Sequence, residues 1–158
     1  MPTDAQKALI AKIRALPAQI AALVGGLSEQ QLLAHPEGEW TIAQNVHHLA
    51  DSHMNAYLRV HFALAEDHPT IKPYLQNMWA ELPDATSADV TDSLALLTAL
   101  HARWVYLFEC LADDQFERVV YHPEQKADIS VQVILEYYAN HGEAHIRQIT
   151  EALATLAH

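Results

Sequence analysis

The chain has 158 residues, 51% of them apolar and 18% charged, which is the composition of a folded domain rather than of a disordered chain. A net charge of −11 at pH 7 disfavours binding to nucleic acid or to an anionic membrane surface. The single cysteine, Cys110, excludes an internal disulfide and a cysteine-rich metal site. We see no signal peptide and no membrane-spanning apolar run, so we expect one cytoplasmic domain over residues 1–158.

Four segments predict long helices, because their apolar residues recur at steps of three and four. The first covers residues 3–24 and ends at Gly25 and Gly26, and Pro17 should kink it or split it. The other three are almost free of glycine and proline and cover residues 41–67, 88–112 and 129–158. Apolar stripes of this kind pack together, so the predicted fold class is all-α, a four-helix bundle.

Two connections between these segments are long, residues 67–87 and residues 113–128. Within the second connection, alternating residues from Phe116 to His122 predict a small strand or hairpin. Long ordered loops in a bundle often carry function, so we expect these two to form walls of a pocket at one end.

Histidine is unusually frequent, with 11 residues, and two of them lie four residues apart on the last predicted helix. This spacing puts His141 and His145 about 40° apart around the helix axis, one turn apart on the same face. They continue the apolar stripe of Ile134 and Tyr138, so they should point into the bundle. Two inward imidazoles at this spacing can bind one metal ion, although such a pair can also be structural.

A third ligand must come from another helix, and the second long segment offers His47, His48 and His53. The better candidate is His48, because a polar stripe flanks it at helical spacing, formed by Asn45, Ser52 and Asn55.

Two residues between the paired histidines carry expectations of their own. Glu143 lies about 200° around the helix from each histidine, so it should face away from the metal and is not assigned as a general base. Gly142 costs about 1 kcal/mol of helix propensity relative to alanine. Either a neighbouring helix packs closely against Gly142, or a substrate needs the space.

The stretch WTIAQNVHHLADSHMN, residues 40–55, resembles the first metal-ligand helix of the DinB/YfiT-like family. The likeness covers about residues 20–155, with further matches at residues 69–74, 79–82, 101–104, 121–123 and 141–150. The resemblance implies an up-down-down-up bundle, often a homodimer, with one divalent ion per chain, Zn²⁺ or Ni²⁺. By the family pattern the ligands are His48, His141 and His145, with the remaining positions open to water.

Three functions follow from such a site. The first is the hydrolysis of an ester or amide-like bond, as in the YfiT branch that the sequence resembles most, because a divalent ion with open positions activates water and polarises carbonyls. Asp51 is the candidate proton acceptor, and the alternative is that it holds a ligand imidazole or a loop. The second function is S-transfer, in which the ion binds bacillithiol or another low-molecular-weight thiol as its thiolate. The third is a stress-linked bundle that binds metal or ligand without catalysis.

A pocket for a small-molecule substrate should lie beside the metal. Its candidate residues are Asn55, Arg59, Tyr74, His101 and Arg103. For His101 a structural network is an equal alternative, and for S-transfer the charges that could anchor the thiol are Arg59, Lys72 and Arg103.

Overall fold

The computed structural model describes residues 1–156, in which helices follow one another as α1 (Asp4–Val24), α2 (Glu29–Leu32), α3 (Ile42–Ala65), α4 (Gln76–Trp79), α5 (Thr91–Cys110) and α6 (Val131–Thr155). Between α5 and α6 lie a 3₁₀ turn, Asp113–Glu117, and two strands, β1 (Val119–His122) and β2 (Ala127–Ser130). The four long helices confirm the predicted all-α bundle. Residues 157–158, which the sequence assigned to the last helix, lie outside the described residues.

The four long helices form a ring in which α1 and α3 each contact both α5 and α6. Two pairs of helices run in parallel, α1 with α6 and α3 with α5. Hydrogen bonds near the starts of the helices show this: Gln6 bonds Gln132 in the first pair, and His47 bonds Ser93 in the second. In contrast, α3 and α6 are antiparallel, since Asn45 bonds His145, while His53 further along α3 bonds His141 earlier on α6. The topology is therefore up-down-down-up, which confirms the expectation from the resemblance.

Local sequence sets where several helices begin. Before α1, α2 and α3, the side chain of Thr3, Ser28 or Thr41 accepts from the backbone N–H three residues later, and the glutamine at that position bonds back. Of the two alternatives predicted at Pro17, a kink or a split, the split is wrong, because α1 continues through Pro17. Proline lacks the N–H that would bond the carbonyl of Ile13 four residues earlier.

The core consists of two hydrophobic clusters arranged along the bundle. One contains Trp104 and Phe108, and the other contains Leu49 and Leu97, all of them 0% exposed. Along α3 and α5 the clusters meet at two fully buried histidines, His53 and His101. A polar layer thus crosses the middle of an apolar core.

The predicted hairpin is confirmed as β1 and β2, which pair antiparallel with Val119 opposite Ser130. The preceding long loop is attached to it, because the backbone of Tyr121 bonds both Pro69 and Ile71, at 2.9 and 3.0 Å. Hairpin and loop together form one wall beside α3 and α6. None of the helices within residues 1–156 is long and apolar enough to cross a membrane.

Candidate metal centre

Three histidines converge between α3 and α6. His48, His141 and His145 each bring one ring nitrogen within 4.8 Å of the other two. The Nε2 atom of His141 lies 3.4 Å from Nε2 of His48 and 3.1 Å from Nε2 of His145. Two nitrogens that bind zinc at about 2.0–2.1 Å in tetrahedral geometry are about 3.4 Å apart. The spacing therefore fits one shared divalent ion.

Asn45, which lies on α3 one helical turn before His48, orients His145 on the facing helix α6. The amide Nδ2 of Asn45 donates to the carbonyl of Thr41 at 2.9 Å, which leaves Oδ1 to accept from Nδ1 of His145 at 2.7 Å. Because the proton of a neutral His145 is then on Nδ1, its Nε2 carries a lone pair. A metal ligand needs such a lone pair, and its orientation by a hydrogen bond is typical of metal-binding histidines.

His53 and His101 extend the cluster into the core. Nε2 of His53 lies 3.2 Å from Nδ1 of His141, and Nδ1 of His53 lies 2.8 Å from Nε2 of His101. Nδ1 of His101 lies 2.6 Å from the carbonyl oxygen of Ile13. Of the two alternatives for His101, the structure shows the structural network: the side chain is 1% exposed and lines neither of the cavities at the three-histidine cluster.

Burial keeps the imidazoles of the centre neutral. It lowers the pKa of His48 and His145 to about 4 and the pKa of His141 to about 3. Repulsion from His145 further lowers the pKa of His48. Repulsion from both His145 and His48 further lowers the pKa of His141. Near pH 7 a metal ion would therefore displace no proton from these ligands.

Two cavities meet at His141. One, of about 340 Å³, is lined by all three histidines together with Trp40, Gln76 and Tyr137 among others. The ring of Trp40 lies nearly parallel to that of His145, with centroids 6.4 Å apart. The other cavity, of about 270 Å³, shares His141 and Tyr137 and extends to the hairpin.

The structure separates the residues that the sequence grouped into one substrate pocket. Arg59 and Tyr74 line the 270 Å³ cavity beside His141. Asn55 lies with them in a neighbouring groove rather than at the histidines. Arg103 lies elsewhere, exposed on α5 with its guanidinium 5.6 Å from the ring centroid of Tyr57.

Asp51 lies away from the histidine cluster, in a different cavity lined by His47 and Asp84. Burial raises the pKa of its carboxyl group, and repulsion from Asp84 raises it further. Asp51 lines neither cavity at the three histidines, so its position does not support the role of proton acceptor there.

Of the three residues between the paired histidines, Glu143 is exposed and Gly142 is buried. Glu143 faces outward and forms an ion pair with Lys12 at 3.0 Å. Gly142 is buried against α1, and a Cβ atom there would lie 2.6 Å from a methyl carbon of Leu16. Of the two explanations for this glycine, close helix packing is the one that the structure shows.

Sequence reasoning did not assign His53 to the site, although a signal was present. His53 occupies a core position of α3, in a regular series with Leu49, Ala56 and Val60, all of them 0% exposed. A histidine in such a series must find hydrogen-bond partners on other helices, and its partners cannot be identified from one segment.

The comparison with known proteins identifies the family. The sequence model of the DinB superfamily matches residues 12–149, so this chain belongs to that superfamily of four-helix bundles. Within it, the chain is 44% identical over 137 residues to the Bacillus subtilis protein named "Putative metal-dependent hydrolase YfiT", covering 86% of this chain and 77% of that protein. A Geobacillus kaustophilus protein with the same description is 42% identical over 141 residues, covering 89% of this chain and 79% of that one.

Solved structures agree with this assignment. The structure of YfiT from Bacillus subtilis superposes with a TM-score of 0.94 at 39% identity, covering 99% of this chain and 90% of that chain. A mycothiol-dependent maleylpyruvate isomerase superposes with a TM-score of 0.70 at 15% identity, covering 94% of this chain and 61% of that chain. The second likeness shows a shared fold.

Proposed function

We propose that this protein is a metal-dependent hydrolase of the YfiT type, in which His48, His141 and His145 hold one divalent ion. The observation that supports it most is the contact between His141 and His145. Nε2 of His145 carries a lone pair, since its proton is on Nδ1, and it lies 3.1 Å from Nε2 of His141. A divalent cation between the two rings would accept both Nε2 lone pairs.

The donor set fits Zn²⁺ or Ni²⁺, because imidazole suits both ions. Three neutral ligands leave the full positive charge on the ion and at least one position open, which is the arrangement of catalytic rather than structural sites. When bound, such an ion lowers the pKa of water and polarises a substrate carbonyl. Glu39 lines the same cavity as the three histidines, and we propose its carboxylate, in place of Asp51, as the proton acceptor.

The second cavity supports a small substrate that carries an anionic group. Arg59 lines it, and none of the ion pairs found in residues 1–156 involves this guanidinium. Burial raises the pKa of Tyr74 and of Tyr138, so both phenols stay protonated and can donate hydrogen bonds to an anion. His141 belongs to both cavities, so an anion held by Arg59 places the rest of the substrate towards the histidine cluster.

Thiol S-transfer is the second candidate function, and the same cavity supports it. A low-molecular-weight thiol such as bacillithiol carries carboxylates that Arg59 could bind, while its sulfur would be a soft ligand suited to zinc. The isomerase that shares this fold is described as mycothiol-dependent. Lys72 lines the adjoining groove, whereas Arg103 lies outside both.

Two further features belong to the proposal. We propose a homodimer, as the resemblance implies, which light scattering of the purified protein will test. We also propose a cytoplasmic location, which agrees with a chain that has a single cysteine and therefore no internal disulfide.

The deciding experiment measures metal content and activity together. Untagged protein should hold about one zinc or nickel ion per chain, and His48→Ala and His141→Ala should lose it. His35→Ala, a change at an exposed histidine, should retain it. The metal-loaded protein is then assayed with anionic and neutral esters and, separately, with thiols and electrophiles. Ester turnover supports hydrolysis, thiol consumption alone supports S-transfer, and tight metal binding without either supports a binding protein. A wild type that takes up neither metal contradicts all three.

A further inference from the structure

We propose that His53 and His101 are positioning residues for the metal centre. They form a directed hydrogen-bond chain that starts at the carbonyl of Ile13 and turns the Nε2 lone pair of His141 towards His48 and His145. The role of His53 and His101 in metal binding rests on the proposed function, but the hydrogen-bond chain itself is a property of the protein without metal.

The direction of the chain begins at a group that can only accept. A carbonyl oxygen has no proton, so the 2.6 Å contact between Ile13 and Nδ1 of His101 requires the proton to be on that nitrogen. Burial lowers the pKa of His101 to about 4, which keeps the ring neutral near pH 7. A neutral ring protonated on Nδ1 leaves Nε2 of His101 as an acceptor.

Each following ring repeats the same pattern. Nδ1 of His53 must donate to Nε2 of His101 at 2.8 Å, because that nitrogen has no proton. His53 is 0% exposed and both of its nitrogens face imidazoles rather than a carboxylate, so this ring is neutral and its Nε2 accepts. Nδ1 of His141 then donates to it at 3.2 Å, and Nε2 of His141 keeps its lone pair. One carbonyl thus determines the tautomers of three imidazoles.

Pro17 explains why this carbonyl can accept from a side chain. Inside a helix, the oxygen of Ile13 would normally accept from the N–H of residue 17, but proline has none. The free carbonyl belongs to a core residue that is 1% exposed, so it must find another donor. His101 on the neighbouring helix α5 is that donor.

The two ligands on α6 are therefore held by separate partners. The chain from α1, α5 and α3 fixes His141, and the amide of Asn45 at the start of α3 fixes His145. Both rings are held as the same tautomer, with Nδ1 donating and Nε2 turned towards the other. Such outer hydrogen bonds raise the affinity of a metal site because they orient its ligands in advance.

The first test observes the protons without any metal. In protein treated with a chelator, nitrogen NMR of labelled histidine should show His101, His53 and His141 protonated on Nδ1 and unprotonated on Nε2 near pH 7. A proton on Nε2 of His141 in these spectra overturns the proposal, whatever the metal affinity. The measurement is independent of the proposed function, which fails instead if the wild type binds neither zinc nor nickel.

The second test measures zinc affinity in matched variants by competition with a chelating dye. His53→Phe removes the acceptor of His141 and should weaken zinc binding about 10- to 100-fold. His53→Gln places a carbonyl oxygen near the position of Nε2 and should recover part of that loss. A merely structural role predicts that both variants change stability while zinc affinity stays the same.

The matched control is His47→Phe. His47 is also buried on α3 and also has two hydrogen bonds, to Ser93 at 2.8 Å and to the carbonyl of Ser87 at 2.9 Å, but it lies outside the chain. The zinc affinity of His47→Phe should stay within about threefold of the wild-type affinity. Wild-type affinity in His53→Phe overturns the proposal. If that variant does not fold, the comparison of His53→Gln with the control and the nitrogen spectra decide.

Discussion

Asn45→Leu is the most direct test of how the centre is built, because leucine has nearly the same shape as asparagine without its hydrogen bonds. The change leaves Nδ1 of His145 without the acceptor that lies 2.7 Å away in the wild type. A buried donor that loses its partner costs about 1–3 kcal/mol, so the free energy of unfolding should fall by that amount in the protein without metal.

Zinc affinity should fall as well, for a separate reason. Without Asn45 the Nδ1 proton of His145 loses its acceptor, so the ring can move its proton to Nε2 or turn away, and either change removes a ligand lone pair. Loss of such an outer hydrogen bond weakens metal binding about 10- to 100-fold, or about 1.4–2.7 kcal/mol. Dye competition measures the affinity, and urea unfolding with chelator present measures the stability.

The matched control is Asn55→Leu, a change on the same helix. The side chains of Asn45 and Asn55 each donate to the carbonyl four residues earlier on α3, both at 2.9 Å. Asn55 lines the groove beside the site, and none of the three histidines lines that groove. Asn55→Leu should therefore keep the zinc affinity of the wild type. Equal affinities in the two variants would show that Asn45 does not orient His145.

Three further predictions test other parts of the structure. Gly142→Ala should lower the free energy of unfolding, because overpacking against Leu16 costs about 1–3 kcal/mol and the gain in helix propensity is about 1 kcal/mol. Adding Leu16→Ala should cost less in that background than alone, and strict additivity in urea unfolding would contradict the clash. Without metal, the free energy of unfolding should fall as the pH drops from 6.5 towards 4, because the unfolded chain binds protons that buried rings such as His101 do not bind. Each such ring lowers the free energy of unfolding by up to about 1.4 kcal/mol per pH unit. Equal stability at pH 7 and pH 5 would refute this. Arg59→Met should raise KM for an anionic ester about tenfold or more with unchanged metal content, and an equal rise for a neutral ester would count against an anion site.

The helices could be predicted from the sequence, whereas their arrangement needed the resemblance. Steps of three and four identify an apolar stripe but contain no information on whether two stripes run in the same direction. The prediction of a split at Pro17 failed because packing of α1 against two helices compensates for one missing backbone bond. Local propensity is a weak indicator when the surrounding tertiary structure holds a segment in place.

Asp51 shows why spacing on one helix predicts a site only in part. It follows His48 by three residues, so it lies about 60° around the axis of α3. That difference is large in a four-helix ring, because each helix faces different neighbours on its two flanks. His48 points to α6, and Asp51 shares a cavity with His47 and Asp84 on the side of α5.

The polar layer explains why the remaining site residues could not be assigned singly. Both ring nitrogens of His53 and of His101 are paired, each with a group on another helix. A buried polar group without its partner costs more than an apolar one, so each ring is acceptable in the core only while its neighbours are present. The layer must therefore be present as a whole, from the proline that frees a carbonyl to the imidazole at the cavity. The layer is formed by contacts among α1, α3, α5 and α6, so no single segment of the sequence predicts it.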